Sequence, residues 1–211
     1  MASKNTYYVG SGGFSNYAQL TDIPSDILAA GDTTIIVGPG TYTPLTDAVL
    51  NDISFVGQGN RDEIVVSGNM TIANTSTGVT RFENLTLTGT GTASAVTGAV
   101  TKLGLASAPL HFRRCTINST ALGVVHHATS AFATTTKQVV MDHCDATGTD
   151  RAIYSNANVA VNFSALNTVA NAYHTYGAGG VAIIGGPTVR ASTGGSANVG
   201  NSTETIIALL S

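Results

Sequence analysis

The chain has 211 residues, of which 10% are charged and 43% hydrophobic, and its formal net charge is −3. This composition excludes the strongly basic surface with which proteins bind nucleic acid or an anionic membrane, so neither is expected as a partner. The sequence has no apolar run near the roughly 18 residues of a membrane span, and its first residues lack the apolar stretch of a secretory signal, so we expect synthesis in the cytoplasm.

Residues 1–32 predict a strand followed by a short helical cap. Residues 6–9 (TYYV) have strand composition, and a Gly-rich turn follows them. Residues 15–30 carry apolar side chains at helical spacing, with Pro24 dividing the segment and Gly31 ending it. Such an element would cover the open end of a stacked β structure, which otherwise exposes an unpaired strand edge.

A seven-residue repeat organises the middle of the chain. The segment FENLTLT at residues 82–88 recurs as FRRCTIN at 112–118 and MDHCDAT at 141–147, which lie 30 and 29 residues further on. Looser copies begin at Phe55 and Phe163. Repeats of this period are typical of solenoids, in which each unit buries its apolar face by stacking on the next.

The repeat predicts a bend between two strands. Side chains alternate between the faces of a strand, so Phe82 and Leu85 both point inward only if the chain turns a corner between them. We assign Glu83 to the outer face and Asn84 to the corner, since the short polar side chain of Asn makes a positive φ less costly. The equivalent corner residues are then Arg114, His143 and Ala165.

A third short strand completes each coil. A turn rich in Gly, Ser or Thr follows each repeat, and a second apolar run comes next, at residues 95–96, 122–125, 152–154 and 172–173. Strand, corner, strand, turn and strand form one coil of a parallel β-helix, with coils about 4.8 Å apart. We therefore predict an all-β, single-stranded parallel β-helix of about seven coils over residues 33–176. Its stacked core would hold two rows of side chains, namely Phe82, Phe112 and Met141, and Leu85, Cys115 and Cys144.

The cysteines and histidines do not predict a metal site. Cys115 and Cys144 share one inward position of successive coils, where apolar surroundings and a cytoplasmic origin favour free buried thiols over a disulfide. His143 occupies a corner, no CxxC or HxxxH spacing occurs, and His126 and His127 are interpreted as loop histidines. No cofactor is expected.

Glu83, Arg113 and Asp142 share one outward position of successive coils and form a ladder of alternating charge. The two carboxylates would lie about 9.6 Å apart, twice the interstrand spacing, which is near the separation in inverting glycosidases. Arg113 lies between them and would pair with both, so a structural ladder is favoured over a catalytic pair. We assign no catalytic residue.

Residues 177–211 differ from the repeats. They contain a Gly-rich stretch in which residues 181–184 predict the strand of a last coil, and they end in an apolar tail. An apolar tail would dock on the solenoid's own end or on a neighbouring subunit. The predicted interface residues are Ile206, Ile207, Leu209 and Leu210 of the tail, with Tyr173 and Tyr176.

Three segments carry a resemblance to a known family: GDTTIIVGPGTY at residues 31–42, ISFVGQG at 53–59 and IVVSG at 64–68. They resemble the opening coils of the pectin-lyase-like right-handed β-helix superfamily, and with the repeats the resemblance covers about residues 30–170. It implies a right-handed helix. The superfamily includes lyases, esterases, phage tailspikes and structural virion proteins, so the fold does not choose a function. The esterases have Gln before the Asp that Asp150 would match, whereas this chain has Thr149, so their catalytic residues are not carried over.

Among β-helix proteins the chain looks most like a phage virion protein, because its expected surface is rich in Thr, Ser and Asn and poor in charge. This resemblance implies a capsid decoration, or cement, protein of the virion, which forms a homotrimer and bridges copies of the major capsid protein. Two other classes stay open. One is a tailspike-like or polysaccharide-degrading enzyme with paired carboxylates in a groove, and the other is a carbohydrate-binding adhesin module with aligned aromatic or amide side chains.

Overall fold

A computed structural model describes residues 5–91, 97–104, 108–128, 139–155, 159–168, 171–175, 181–184 and 188–191. These residues form twenty β-strands, one α-helix and two 3₁₀ turns. The helix is α1 (Ser25–Ala29), and the 3₁₀ turns are Leu20–Asp22 and Arg61–Glu63. The strands are β1 (Asn5–Val9), β2 (Thr33–Val37), β3 (Gly40–Tyr42), β4 (Ile53–Gly57), β5 (Ile64–Ser67), β6 (Met70–Ile72), β7 (Thr80–Glu83), β8 (Thr86–Gly89), β9 (Gly98–Gly104), β10 (Leu110–Arg113), β11 (Thr116–Ser119), β12 (Leu122–Ala128), β13 (Val139–Asp142), β14 (Asp145–Gly148), β15 (Arg151–Ser155), β16 (Val159–Asn162), β17 (Ala165–Thr168), β18 (Asn171–Thr175), β19 (Val181–Ile184) and β20 (Thr188–Ala191).

The strands form three parallel sheets that run along the axis of a β-solenoid, so the predicted all-β parallel fold is confirmed. Sheet 1 has the order β1-β2-β4-β7-β10-β13-β16-β19, sheet 2 the order β3-β5-β8-β11-β14-β17-β20, and sheet 3 the order β6-β9-β12-β15-β18. Each coil contributes its first strand to sheet 1, its second to sheet 2 and its third to sheet 3. Every interior strand therefore pairs with the coil below and the coil above.

The described chain forms about five coils, so the predicted number of about seven is wrong. Five coils carry all three strands, from β4–β6 to β16–β18. The error lies at the ends. Before β4, only β1, β2 and β3 form strands, and Ala48 makes just an isolated bridge to Ile72 of sheet 3. After β18, the described residues add only β19 and β20.

The core is a stack of equivalent side chains from successive coils. The rings of Phe55, Phe82 and Phe112 stack at centroid distances of 5.5 and 5.2 Å, with 11° between neighbouring planes. Met141 continues this row, because it pairs with Phe112 across β10 and β13. A second row, buried to at least 97%, runs along the corner and consists of Leu85, Cys115, Cys144 and Ser164.

The corners between sheets 1 and 2 fall at Asn84, Arg114 and His143, which have φ values of 56°, 51° and 52°. In the next coil the predicted corner at Ala165 is wrong, because Phe163 has a φ of 44°. Val161, and not Phe163, pairs with Met141, so the chain reaches its corner two residues earlier than the alignment of the internal repeats predicts. Phe163 is therefore 58% exposed, where an inward position was predicted for it.

One other local prediction is wrong, and another falls outside the described residues. The third strand of the coil that begins with β7 is Gly98–Gly104, whereas the predicted residues 95–96 lie outside the described residues. His126 and His127 belong to β12 and not to a loop. His126 is 1% exposed, and its Nε2 lies 3.4 Å from the carbonyl oxygen of Ala108.

The N-terminal segment is less helical than predicted. Of residues 15–30, only Leu20–Asp22 and Ser25–Ala29 are helical, and Pro24 separates them. Their buried side chains, Leu20 and Leu28, join the core. A capping role for this segment stays a prediction. None of the helices in the described residues has the length and apolar character of a membrane span.

Candidate functional site

The charged ladder lies on the outer face of sheet 1. Glu83, Arg113 and Asp142 are in register on β7, β10 and β13. Arg113 Nη1 lies 3.6 Å from Glu83 Oε1, and its Nε lies 3.8 Å from Asp142 Oδ2. Both distances exceed those of good charge-assisted hydrogen bonds, so these are surface ion pairs of small individual energy. The guanidinium occupies the space between the carboxylates where a glycosidase would hold its sugar and water.

The ladder continues to the corner through His143. Its Nδ1 lies 2.9 Å from Asp142 Oδ1, and its ring stacks on Phe163 at a centroid distance of 5.2 Å and an angle of 26°. Phe163 therefore presents an exposed aromatic side chain beside a carboxylate and an imidazole. The sequence did not reveal this group, because a Phe near the repeat was interpreted as an inward core residue.

Toward the N-terminal end, the same row of sheet 1 becomes apolar. Tyr8, Ile36 and Val56 precede Glu83 in register on β1, β2 and β4. Beside them lies a groove of about 450 Å³, whose lining includes Tyr8, Val9, Ile36, Pro39 and Gln58, and Phe14 from the loop after β1. Phe14 is 98% exposed and Tyr8 is 45% exposed. This end of the solenoid thus combines exposed aromatic side chains with a concave apolar surface.

The polar cluster from residue 142 to residue 151 is divided among different faces of the solenoid. Asp145 lies on sheet 2, where its Oδ2 is 2.9 Å from Nη2 of Arg61. Arg61 comes from the 3₁₀ turn before β5, so its side chain crosses the intervening strands to reach β14. The Arg61 carbonyl also accepts a hydrogen bond of 3.0 Å from Thr86 Oγ1. This contact therefore ties a loop of one coil to a strand three positions along sheet 2.

A buried lysine, which the sequence pattern does not indicate, lies inside the solenoid. Lys102 of β9 is 1% exposed, and its Nζ donates a hydrogen bond to the carbonyl oxygen of Ala73. Burial lowers the pKa of Lys102 to about 8, while the negative charge of Asp47 opposes part of this shift. A lysine in a short strand is ordinarily expected on the outer face, so the alternating pattern gave no signal for this residue.

The two cysteines are free and buried. The backbone N–H of Cys115 points at Cys144 Sγ across 3.5 Å, and burial raises the pKa of the Cys115 thiol. A buried thiol with a raised pKa is a poor nucleophile, so Cys115 acts as core packing. Cys144 is 1% exposed and packs beside it. Among the described residues, no group of three or more His, Cys, Asp or Glu side chains is placed to hold a metal ion.

The predicted interface residues fall mostly beyond the described chain. Ile206, Ile207, Leu209, Leu210 and Tyr176 all lie outside it. Tyr173 is described as part of β18, where it pairs with Ile153 of β15.

Comparison of the chain with family models, with curated proteins and with solved structures finds no match. The site geometry therefore carries the functional argument that follows.

Proposed function

We propose that this protein is a structural component of a phage particle, a capsid decoration protein that forms a homotrimer and bridges copies of the major capsid protein. The observation that carries this proposal is a set of three exposed phenylalanine and tyrosine side chains, Tyr8, Phe14 and Phe163, on a solenoid of low charge. Aromatic side chains of this kind are enriched at the centre of protein interfaces.

The ladder supports a binding role over a catalytic one. Because Arg113 pairs with both Glu83 and Asp142, the outer face of sheet 1 has little net charge in its middle. A face with paired charges can approach another protein with little electrostatic repulsion. Stable protein interfaces bury about 1,200–2,000 Å² in total, and the eight strands of sheet 1 form a continuous sheet that could contribute to such a contact.

Two finer features of the fold belong to the same proposal. The coils wind in a right-handed sense, because parallel strands joined by a crossover are right-handed in about 98% of cases. The segment from Leu20 to Ala29 caps the N-terminal end, where its buried side chains would shield the first coils from water.

Immunoelectron microscopy tests the proposal. Antibody raised against the purified protein is applied to phage particles from the host that carries the gene. Label distributed over the icosahedral head is the expected result. Label confined to the tail would contradict a decoration role and favour a tailspike, and intact particles without label would contradict a virion role altogether.

A second candidate function is polysaccharide binding or cleavage, which the Phe163–His143 stack beside Asp142 favours. Aromatic rings stack on sugar faces, and a nearby carboxylate can accept hydrogen bonds from hydroxyls. The test is incubation of the protein with capsular and cell-wall polysaccharides, followed by measurement of new reducing ends and of retained polymer. Activity that is lost in Asp142→Asn would establish this function. Binding without cleavage that is lost in Phe163→Ala would indicate an adhesin module.

A further inference from the structure

The loop after β1 presents Phe14 as a fixed projection from the N-terminal end. Ser15 N–H donates to the Gly12 carbonyl at 3.0 Å, and Asn16 N–H donates to the Tyr8 carbonyl at 2.8 Å. Asn16 Oδ1 in turn accepts from Tyr8 N–H at 2.8 Å. These bonds close the loop as a turn, so Phe14 is 98% exposed on an organised backbone. Because the backbone of the loop is ordered before binding, it loses little conformational freedom when Phe14 binds.

The groove beside this loop has the character of an aromatic binding pocket. Val9, Ile36 and Pro39 supply apolar walls, and no charged residue lines its described surface. Its volume of about 450 Å³ lies in the range of pockets that hold small organic groups. Phe14 contributes to its rim but does not fill it, because the ring is almost fully exposed.

We infer that Phe14 of one copy inserts into this groove on a second copy. The projection and the groove lie side by side at the N-terminal end of the molecule. If copies are related by a rotation axis near that end, Phe14 of each copy reaches the groove of the next copy, and the contacts close into a ring. Identical copies carry identical charges, and an uncharged contact avoids their mutual repulsion. The inference deepens the proposed function, since it rests on the homotrimer and names its interface.

The contact uses side chains and not strand addition. The outer edge of β1 is already partly occupied, because Val9 forms a parallel bridge with Tyr17 and Gly10 N–H donates to the Tyr17 carbonyl at 3.0 Å. A second copy therefore gains access to the groove and to Phe14, whereas the backbone of β1 offers it few free groups.

Phe14→Ala is the first test, with Leu103→Ala as the matched control, because Leu103 is 40% exposed on β9 and does not line the groove. Both side chains are exposed, so neither change should alter the circular dichroism spectrum or the melting temperature of the monomer. We expect Phe14→Ala to weaken self-association at least tenfold in sedimentation equilibrium, and Leu103→Ala to leave it unchanged. A wild-type protein that stays monomeric, or a Phe14→Ala variant that associates as wild type does, would overturn the inference.

A complementary variant blocks the groove without touching the projection. Gln58 is exposed and lines the groove, and Gln58→Arg places a long charged side chain there. Each variant alone should be monomeric. Mixed together, they should form a one-to-one dimer, because one supplies the groove and the other supplies Phe14. Failure of the mixture to associate would exclude a contact between projection and groove.

A photoreactive benzoylphenylalanine in place of Phe14 identifies the occupied surface directly. The expected cross-link joins two chains and attaches within the peptides that contain Tyr8, Ile36 or Pro39. A cross-link within one chain, or to the apolar tail at residues 204–211, would overturn the inference. Failure of this inference can be distinguished from failure of the proposed function. If the protein self-associates through Phe14 but no label appears on phage heads, the interface is supported and only the decoration role is rejected.

Discussion

Replacing Lys102 with methionine should stabilise the protein near neutral pH. Lys102 is 1% exposed, and burial lowers its pKa from an ordinary value of 10.5 to about 8. At pH 7 the folded protein therefore holds a buried ammonium group that the unfolded chain exposes to water. Methionine is similar in length and flexible enough to fill the same space without a charge.

The expected gain follows from the pKa difference. The interval between about 8 and 10.5 corresponds to about 3 kcal/mol at 1.36 kcal/mol per unit. Loss of the hydrogen bond from Lys102 to the Ala73 carbonyl destabilises the variant by about 1 kcal/mol, which reduces the gain. That carbonyl stays satisfied, because it also accepts from Ser76 N–H at 3.1 Å. The net gain at pH 7 is about 2 kcal/mol, or a rise of about 4–8 °C in melting temperature.

The pH dependence has a definite sign. Between pH 8 and pH 10.5 the unfolded chain binds a proton at Lys102 that the folded protein does not, so wild-type stability rises with pH across this window. The variant lacks this rise, and its advantage should vanish or reverse near pH 10.5. Burial raises the pKa of Tyr42, which lowers stability at high pH, but both proteins share this effect and it cancels in the comparison.

Urea denaturation of both proteins from pH 7 to pH 10.5 measures the difference. Leu103→Met serves as the control, because Leu103 is the next residue of β9 and is 40% exposed. It should change stability by less than about 0.5 kcal/mol. A Lys102→Met protein that is less stable at pH 7, or a gap that is the same at every pH, would refute a buried charge at this position.

Three further substitutions probe the coil geometry in the same denaturation assay. Phe82→Ala removes the middle ring of the aromatic stack and should cost about 3–5 kcal/mol; a cost below about 1 kcal/mol would contradict the stacked core. Asn84→Ala should cost about 2–3 kcal/mol, because it removes the hydrogen bonds to the Gly57 and Gly59 carbonyls and keeps a Cβ at a φ of 56°. Asn84→Gly removes the same hydrogen bonds but has no Cβ, so it should cost less. Equal costs would argue against backbone strain at the corner. Arg61→Met should cost at most about 1 kcal/mol by breaking the contact with Asp145, and the cost should shrink in high salt; a cost that does not depend on salt would contradict an ion pair.

The repeat made much of the central fold predictable. The inward residues of the repeat recur at nearly constant spacing, as Phe82, Phe112 and Met141. Each of them therefore lies beside its equivalent in the neighbouring coil. The odd separation of Phe82 and Leu85 required a corner, which the structure places at Asn84. In this part of the chain the turn preference of Asn and the periodicity of the apolar residues indicate the same structure, and such agreement makes a fold predictable from its sequence.

The remaining features depend on contacts that periodicity does not encode. Phe163 lies at a corner, where an apolar residue gives no turn signal. Lys102 is buried although lysine is ordinarily exposed. The coil count failed because the end coils lack neighbours on one side and form fewer strands. Phe14 was missed because it lies in a Gly-rich loop outside the repeat, where periodicity gives no signal.

The mass of the full-length protein in solution, measured by light scattering, tests the assembly role most directly, with a second measurement on protein truncated after Thr203. The account predicts a particle of three times the 21.4 kDa chain that persists on dilution into the micromolar range. Because Phe14 and the groove lie at the N-terminal end, the truncated protein should also form a trimer, with three times the mass of the truncated chain. A full-length protein that stays at 21.4 kDa at every concentration would contradict the account.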